Sequence, residues 1–227
     1  MEYVEWKELH KLQLNTFKGM VSLKYTPKDL PLYWLLGDEG NIKIPVTTAI
    51  FNMSSAKNCP SMKLGLCKAE KQGAHCYARK AEYMYPPTLP YRNRQGKLWG
   101  KISAKEFAFQ FLVVNAYKKN PFNKLRLNES GDFYNQDSVN KAEKIARILK
   151  KYGVITYCYT SRDDLDFSKV WALRVSGSGF KKEGIVNVFK IINNKKDRPR
   201  GYAMCGMSCK ICDRCSRAGL MTCVVRH

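Results

Sequence analysis

The chain has 227 residues and sets 40 Lys and Arg against 19 Asp and Glu, a formal net charge of +21. At 44% hydrophobic residues it is too apolar for a disordered basic tail and long enough to bury a core without disulfides. No apolar run reaches the roughly 18 residues that cross a bilayer, and the start, Met1-Glu2-Tyr3-Val4-Glu5-Trp6, lacks a signal-peptide core, so a cytoplasmic protein with no membrane partner is expected.

In chain order, residues 1–41 read as an N-terminal extension or cap whose apolar centre, residues 30–36, meets the turn Gly37-Asp38-Glu39-Gly40. Residues 42–51, rich in Ile, Val and Thr, predict a strand that runs into an irregular, cysteine-bearing stretch ending at Cys76. Residues 77–83 predict a helix stopped by Pro86, Pro87 and Pro90. Ser103 and Glu106 form a capping box opening an apolar helix to about Lys119, closed by Asn120-Pro121. Residues 125–127 predict a short strand that breaks into Asn128-Glu129-Ser130-Gly131-Asp132. Asp137 reads as the cap of the next helix, whose Val139, Ala142, Ile145, Ala146 and Leu149 keep helical spacing up to a stop at Gly153. A strand over 154–159 ends in Thr160-Ser161-Arg162-Asp163-Asp164. A short helix over 165–169 then leads to a strand over 171–175, which ends in Ser176-Gly177-Ser178-Gly179, and residues 185–192 supply one more. Residues 193–227 read as a basic linker and a cysteine-rich terminal segment.

Strands alternating with helices over residues 42–192 imply an α/β fold with a parallel sheet. Polar, glycine-containing turns at successive strand ends imply a site at its carboxyl edge. The expected architecture is a partial (β/α) barrel, with a doubly wound sheet as the alternative.

Nine cysteines in a chain with no export signal speak against a disulfide framework. Cys205, Cys209, Cys212 and Cys215 place four thiolates in eleven residues. Zinc sites commonly draw close pairs from separated knuckles, whereas a cubane cluster accepts consecutive ligands from one wrapping loop, so the spacing favours a [4Fe–4S] cluster with zinc as the alternative. Cys223 is a spare or alternative ligand. Cys59, Cys67 and Cys76 offer three thiolates on a loop leaving a strand; on a second cluster three ligands leave one iron open, as substrate coordination requires. A zinc site completed by His75, or buried thiols, are the other readings of this group. Cys158 reads as a core residue that could also complete the site.

The segments Asn58-Cys59-Pro60-Ser61, Leu64-Gly65-Leu66-Cys67, Cys76-Tyr77-Ala78-Arg79-Lys80-Ala81-Glu82, residues 126–133 and Tyr159-Thr160-Ser161-Arg162, with the terminal cysteine run, resemble the phage gene product 88 family over roughly residues 45–215. The resemblance implies a phage or mobile-element origin and no particular activity. The three-cysteine loop after the first strand also resembles that of radical S-adenosylmethionine enzymes. That resemblance implies a radical-SAM-like barrel with S-adenosylmethionine as cofactor. Asn128, Glu129, Ser130 and Gly131 would hold it near the methionine amino group, with Ser161, Arg162, Ser176, Gly177 and Ser178 as further contacts. The gaps here are seven and eight residues rather than that superfamily's usual three and two, a spacing that Cys205, Cys209 and Cys212 carry instead.

Other chemistry is narrower. Glu129 and Asp132, with Asp163, Asp164 and Asp166, could hold Mg²⁺ for phosphodiester cleavage, although turn formation suits Asp163 and Asp164. Three histidines, His10, His75 and His227, supply little acid–base capacity, and no Walker loop occurs. Charge of this size points to nucleic acid as the partner, with a merely cationic surface as the alternative. Tyr83-Met84-Tyr85 and Tyr157 to Tyr159 are expected in the core rather than stacked on bases. The sequence therefore leads to an iron–sulfur protein that binds or acts on nucleic acid. A radical-SAM-like enzyme, a non-catalytic binder with structural metal sites and a Mg²⁺-dependent nuclease stapled by a cluster all remain open, with Glu129, Asp132 and Arg162 as the catalytic residues.

Overall fold

The computed structural model describes residues 26–37, 43–67, 76–206 and 208–225. The first 25 residues, most of the expected turn after Gly37, and His75 lie outside them.

Among the described residues seven strands form one parallel sheet: β1 (Thr48–Phe51), β2 (Lys124–Leu127), β3 (Ile155–Thr160), β4 (Arg174–Ser178), β5 (Asn187–Ile192), β6 (Ala203–Met204) and β7 (Met221–Val225). Their order is β1-β2-β3-β4-β5-β7-β6, so the first five lie side by side in chain order without the reversal of a doubly wound sheet. The expected α/β class with a parallel sheet is thus observed. The C-terminal segment adds two strands to the same sheet, and β6, only two residues long, leaves little unpaired edge at that end.

Among the described residues five α-helices accompany the sheet: α1 (Pro60–Lys63), α2 (Tyr77–Met84), α3 (Thr88–Lys101), α4 (Ala104–Ala116) and α5 (Gln136–Lys150). Ser103 opens α4 by accepting the Glu106 amide at 3.2 Å, as its capping pattern predicts. Helix α4 stops at Ala116 rather than near Lys119, because Asn115 binds both the amide and the carbonyl of Phe122 and turns the chain into β2. The cap of α5 is Asn135, whose side chain accepts the Ser138 amide at 3.0 Å, and not Asp137. Helix α3 was concealed by its prolines: Pro90 falls in its first turn, where the missing N–H has no intrahelical partner to lose.

The short helix expected over 165–169 is absent. The Lys182 ammonium takes the carbonyls of Asp163 and Leu165, both at 2.8 Å, and the segment forms turns. β4 begins at Arg174 rather than at Trp171 because the amides of Trp171, Ala172 and Leu173 are committed to the buried carboxylate of Glu143 on α5.

Alternation along the strands separates two faces. Ala49, Phe51, Leu125, Leu127, Cys158 and Val175 face the helices and join Phe107, Phe111, Val139, Ile145 and Leu149 in one core. Phe107 packs edge-on against Phe51 and Trp99, which are tilted at 45° to each other, with centroids 4.9 to 6.2 Å apart, and truncating a ring buried this fully costs about 3–5 kcal/mol. Cys158 is fully buried in this core, as its strand position suggested. The opposite face carries Thr48, Lys124, Arg126, Tyr157, Tyr159, Ser176 and Asn187. Parallel sheets usually bury aliphatic residues on both sides, so a polar second face marks where function is to be sought.

Candidate functional site

The C-terminal cysteine segment lies across that polar face. Cys205 donates its amide to Cys223 at 2.7 Å, and Cys209 donates to the carbonyl of Lys43 at 2.8 Å. Asn187 in β5 donates to Arg217 at 2.7 Å and accepts from the Leu220 amide at 2.9 Å, while the Arg174 guanidinium reaches the Ser216 carbonyl. So anchored, Cys205, Cys209, Cys212 and Cys215 all line one concavity with Pro45, Thr48, Lys124 and Tyr157. Among the described residues no three cysteine, histidine or acidic side chains stand in a ready-made coordinating arrangement. No disulfide joins the cysteines.

The surroundings carry Lys124, Arg126 and Arg214 against a single carboxylate, Asp213, which is paired with Arg217 at 2.9 Å. Arg126 is buried beneath the segment, its guanidinium 5.4 Å from the centroid of the Tyr159 ring and 3.4 Å from the Tyr77 hydroxyl. Its Nε, the Nε of Arg214 and the hydroxyl of Thr48 are buried without a hydrogen-bond partner. Burial pushes the thiols of Cys209 and Cys215 up; Arg126 opposes this at both, and a hydrogen bond with Tyr159 opposes it at Cys215. Buried N–H groups with no acceptor beside four thiols are chemically suited to an anionic, sulfur-rich group. Ser176 borders the same region, next to Cys215 and Tyr159, rather than the three-cysteine loop. Cys223 instead points away from the concavity, its sulfur 3.3 Å from that of Met204.

The second group lies at the carboxyl ends of the strands. β1 leads through Asn52 to Cys59, which caps α1; residues 61–67 turn back, with the amides of Leu66 and Cys67 on the Ser61 carbonyl, and Cys76 caps α2. The Cys59 thiol is pushed up to about 12, chiefly by burial and then by the Asp132 carboxylate, with Cys67 adding to the effect. Arg126 and Tyr77 lie between this loop and the C-terminal cysteines, since the Tyr77 hydroxyl also donates to the Glu129 carbonyl.

Several residues expected to bind a cofactor hold the loops together. Asp132 is buried with both oxygens saturated: Oδ1 accepts from Thr160 at 2.7 Å and the Phe133 amide at 2.8 Å, and Oδ2 from Ser61 at 2.6 Å and the Ser161 amide at 2.8 Å. Arg162 is engaged with Asp164 and the carbonyls of Phe133 and Tyr134. Asn128, in the left-handed region at φ 59°, accepts the Met53 amide at 3.2 Å, and the Ser130 amide donates to Asn52 at 2.7 Å. Gly131 has φ 78°, and a Cβ there would lie 2.6 Å from the Ser54 carbonyl oxygen. Gly177 is similarly confined, a Cβ falling 2.4 Å from the Phe180 carbonyl oxygen. Ser178 ends β4.

Glu82 was not singled out by the sequence. It is buried on α2, accepts the amides of Ala56 at 2.6 Å and Lys57 at 3.2 Å, and pairs with the buried Arg92 at 3.0 Å. Arg92 in turn stands 3.6 Å from Glu129. This clamp ties the start of the three-cysteine loop, near Ala56, to the helix that follows its last cysteine. A glutamate before an aromatic run carries no sequence mark of burial.

The family model described as gene product 88 matches residues 28–173, which covers the loops after β1, β2 and β3. The chain belongs to the gene product 88 family. The matched region of this phage-derived family ends where β4 is about to begin, so it contains the three-cysteine loop, the Glu82 clamp and Asp132, while the C-terminal cysteine run lies beyond it. No curated protein and no solved structure matches the chain. Among the described residues no helix is long and apolar enough to cross a membrane.

Proposed function

We propose that this gene product 88 chain is a phage or mobile-element iron–sulfur protein that binds nucleic acid, with Cys205, Cys209, Cys212 and Cys215 as ligands of a [4Fe–4S] cluster. The observation that carries the reading is the convergence of these four cysteines on one concavity that Arg214 also lines, with Arg126 close enough to act on Cys209 and Cys215, the Nε of each arginine being buried without an acceptor. A thiolate-held cluster is anionic, and its sulfides accept hydrogen bonds, so it would satisfy both the charge and the donors. Binding would draw the four thiols together, and Tyr159 would keep its hydrogen bond to Cys215. Zinc on the same four thiolates is the alternative occupant.

The catalytic, radical-SAM-like form of the proposal, with a partial barrel around the site, rests on a different observation. The loop bearing Cys59, Cys67 and Cys76 leaves the first of five parallel strands that follow one another in chain order. Those cysteines would hold a second cluster with one open iron, where S-adenosylmethionine chemistry would be supplied. Asp132 and Arg162 would position the loops rather than touch the cofactor, which leaves Glu129 as the nearby carboxylate for substrate or cofactor contact. The saturation of Asp132 also gives the Mg²⁺-nuclease reading little support.

Metal and acid-labile sulfide analysis of anaerobically purified protein tests the cluster: iron and sulfide in similar amounts are expected, and zinc without sulfide would contradict it. Nucleic-acid affinity should fall steeply with added salt, as phosphate contacts release counterions, and a flat salt dependence would contradict docking through the basic surface.

A further inference from the structure

The stretch Tyr83-Met84-Tyr85, which hydrophobic patterning assigns to the core, lies on the surface. Tyr83 is 90% exposed, Met84 54% and Tyr85 59%. On α2 the exposed Arg79 and Tyr83 are four residues apart, as are the exposed Lys80 and Met84, so cations and large side chains alternate on the solvent face. Lys57 is exposed beside them, its backbone amide fixed to Glu82 on the same helix.

Residues 76–101 contain six Lys and Arg and a single carboxylate, Glu82, which is buried against Arg92. The exposed side of this segment therefore carries no carboxylate of its own, and exposed aromatic rings stand among its cations. Protein interfaces are depleted in lysine and pair opposite charges, whereas unpaired nucleic acid needs cations for phosphates and ring faces for bases. The four-point attachment of Glu82, to Ala56, Lys57, Arg92 and Ser130, makes α2 a rigid platform.

We propose that this surface binds single-stranded nucleic acid, Tyr83 and Tyr85 stacking on successive bases while Lys57 and Lys80 contact the phosphates. The inference rests on the nucleic-acid part of the proposed function and specifies the strand form and the face. Because Cys76 caps α2, a bound strand would pass the mouth of the three-cysteine loop.

The test is fluorescence anisotropy with labelled single-stranded DNA, single-stranded RNA and a duplex of the same sequence, using the full-length chain. Tyr83→Ala and Tyr85→Ala should each weaken single-strand binding by roughly 5- to 150-fold, the range set by base–aromatic stacking. Tyr83→Phe should bind like the parent, and circular dichroism should show all variants folded, since both rings are exposed. The DNA and RNA arms identify which backbone is preferred, and tighter binding of either single strand than of the duplex supports the inference. Salt-sensitive binding unchanged in both alanine variants would overturn it while sparing nucleic-acid binding as such, and would leave the patch as a protein-docking surface. Preference for duplex would also overturn it. Binding to no nucleic acid at all would overturn both this inference and the reading beneath it.

Discussion

Replacing Glu82 with Ala removes one carboxylate that the structure uses four times. The amides of Ala56 and Lys57 lose their acceptor, and Arg92, with its side chain only 6% exposed, loses its close partner. An orphaned buried donor costs about 1–3 kcal/mol, and breaking a buried ion pair on one side costs about 3–5 kcal/mol. These contributions share one group and do not add, and Glu129 at 3.6 Å takes up part of the Arg92 charge, so the expected loss is about 3–5 kcal/mol. That is a large fraction of the roughly 5–15 kcal/mol that holds a domain folded. Urea unfolding reads it directly: at a slope of about 2 kcal/mol per molar, the midpoint should fall by roughly 1.5–2.5 M with the slope unchanged. Glu82→Gln, which keeps an oxygen for one amide, should fall between. The double variant Glu82→Leu with Arg92→Met should be more stable than the sum of the single losses predicts, because it leaves no buried charge unpaired. A midpoint shift below about 0.5 M in Glu82→Ala would refute the clamp.

Three further outcomes follow from the strand-end loops. Gly131→Ala places a Cβ against the Ser54 backbone at φ 78° and should cost about 2 kcal/mol or more, measured by the same unfolding midpoint; a neutral substitution would contradict the packing described. Asp164 is held below the ordinary carboxylate range by its hydrogen bonds from Arg162, so its stabilisation is present at neutral pH and lost as pH falls through that lowered value. Asp164→Asn should therefore flatten the stability profile on the acid side by less than about 1 kcal/mol, since the pair is partly exposed, and an unchanged profile would contradict the pairing. In chelator-treated protein the Cys59 thiol, pushed up to about 12, should react with iodoacetamide far more slowly at neutral pH than after unfolding. Equal rates in mass spectrometry would show that the loop does not bury it.

Local signals were legible where one segment determines its own structure: the Ser103 cap, the helical spacing of α5, its stop at Gly153 with φ 76°, and the strand ends that carry polar loops. What escaped depends on partners distant in sequence. Glu143 withholds three amides from β4, and Lys182 takes carbonyls that a helix over 165–169 would need. The same holds at the site. Asp132 looks like a strand-end carboxylate in any sequence, and only the arrival of Ser61 and Ser161 shows that it is a knot between loops. Glu82 is hidden for the same reason, and Tyr83 was misplaced because its aromatic character says nothing about which side of α2 faces the body. The four terminal cysteines were plain in the sequence, but Arg126, Arg214 and Thr48 around them become visible only when the sheet brings its polar face beneath the loop.

The central claim is that the four terminal cysteines, and not the buried ones, grip an iron–sulfur cluster. Its most direct test is iron and sulfide content in anaerobically purified single alanine variants that also carry Cys59→Ala, so that only the terminal site is read. With Cys209→Ala or Cys215→Ala added, iron and sulfide should drop to near background, whereas Cys158→Ala and Cys223→Ala should retain about four of each per chain. Equal retention in all four, or loss confined to Cys158→Ala or Cys223→Ala, would contradict the account.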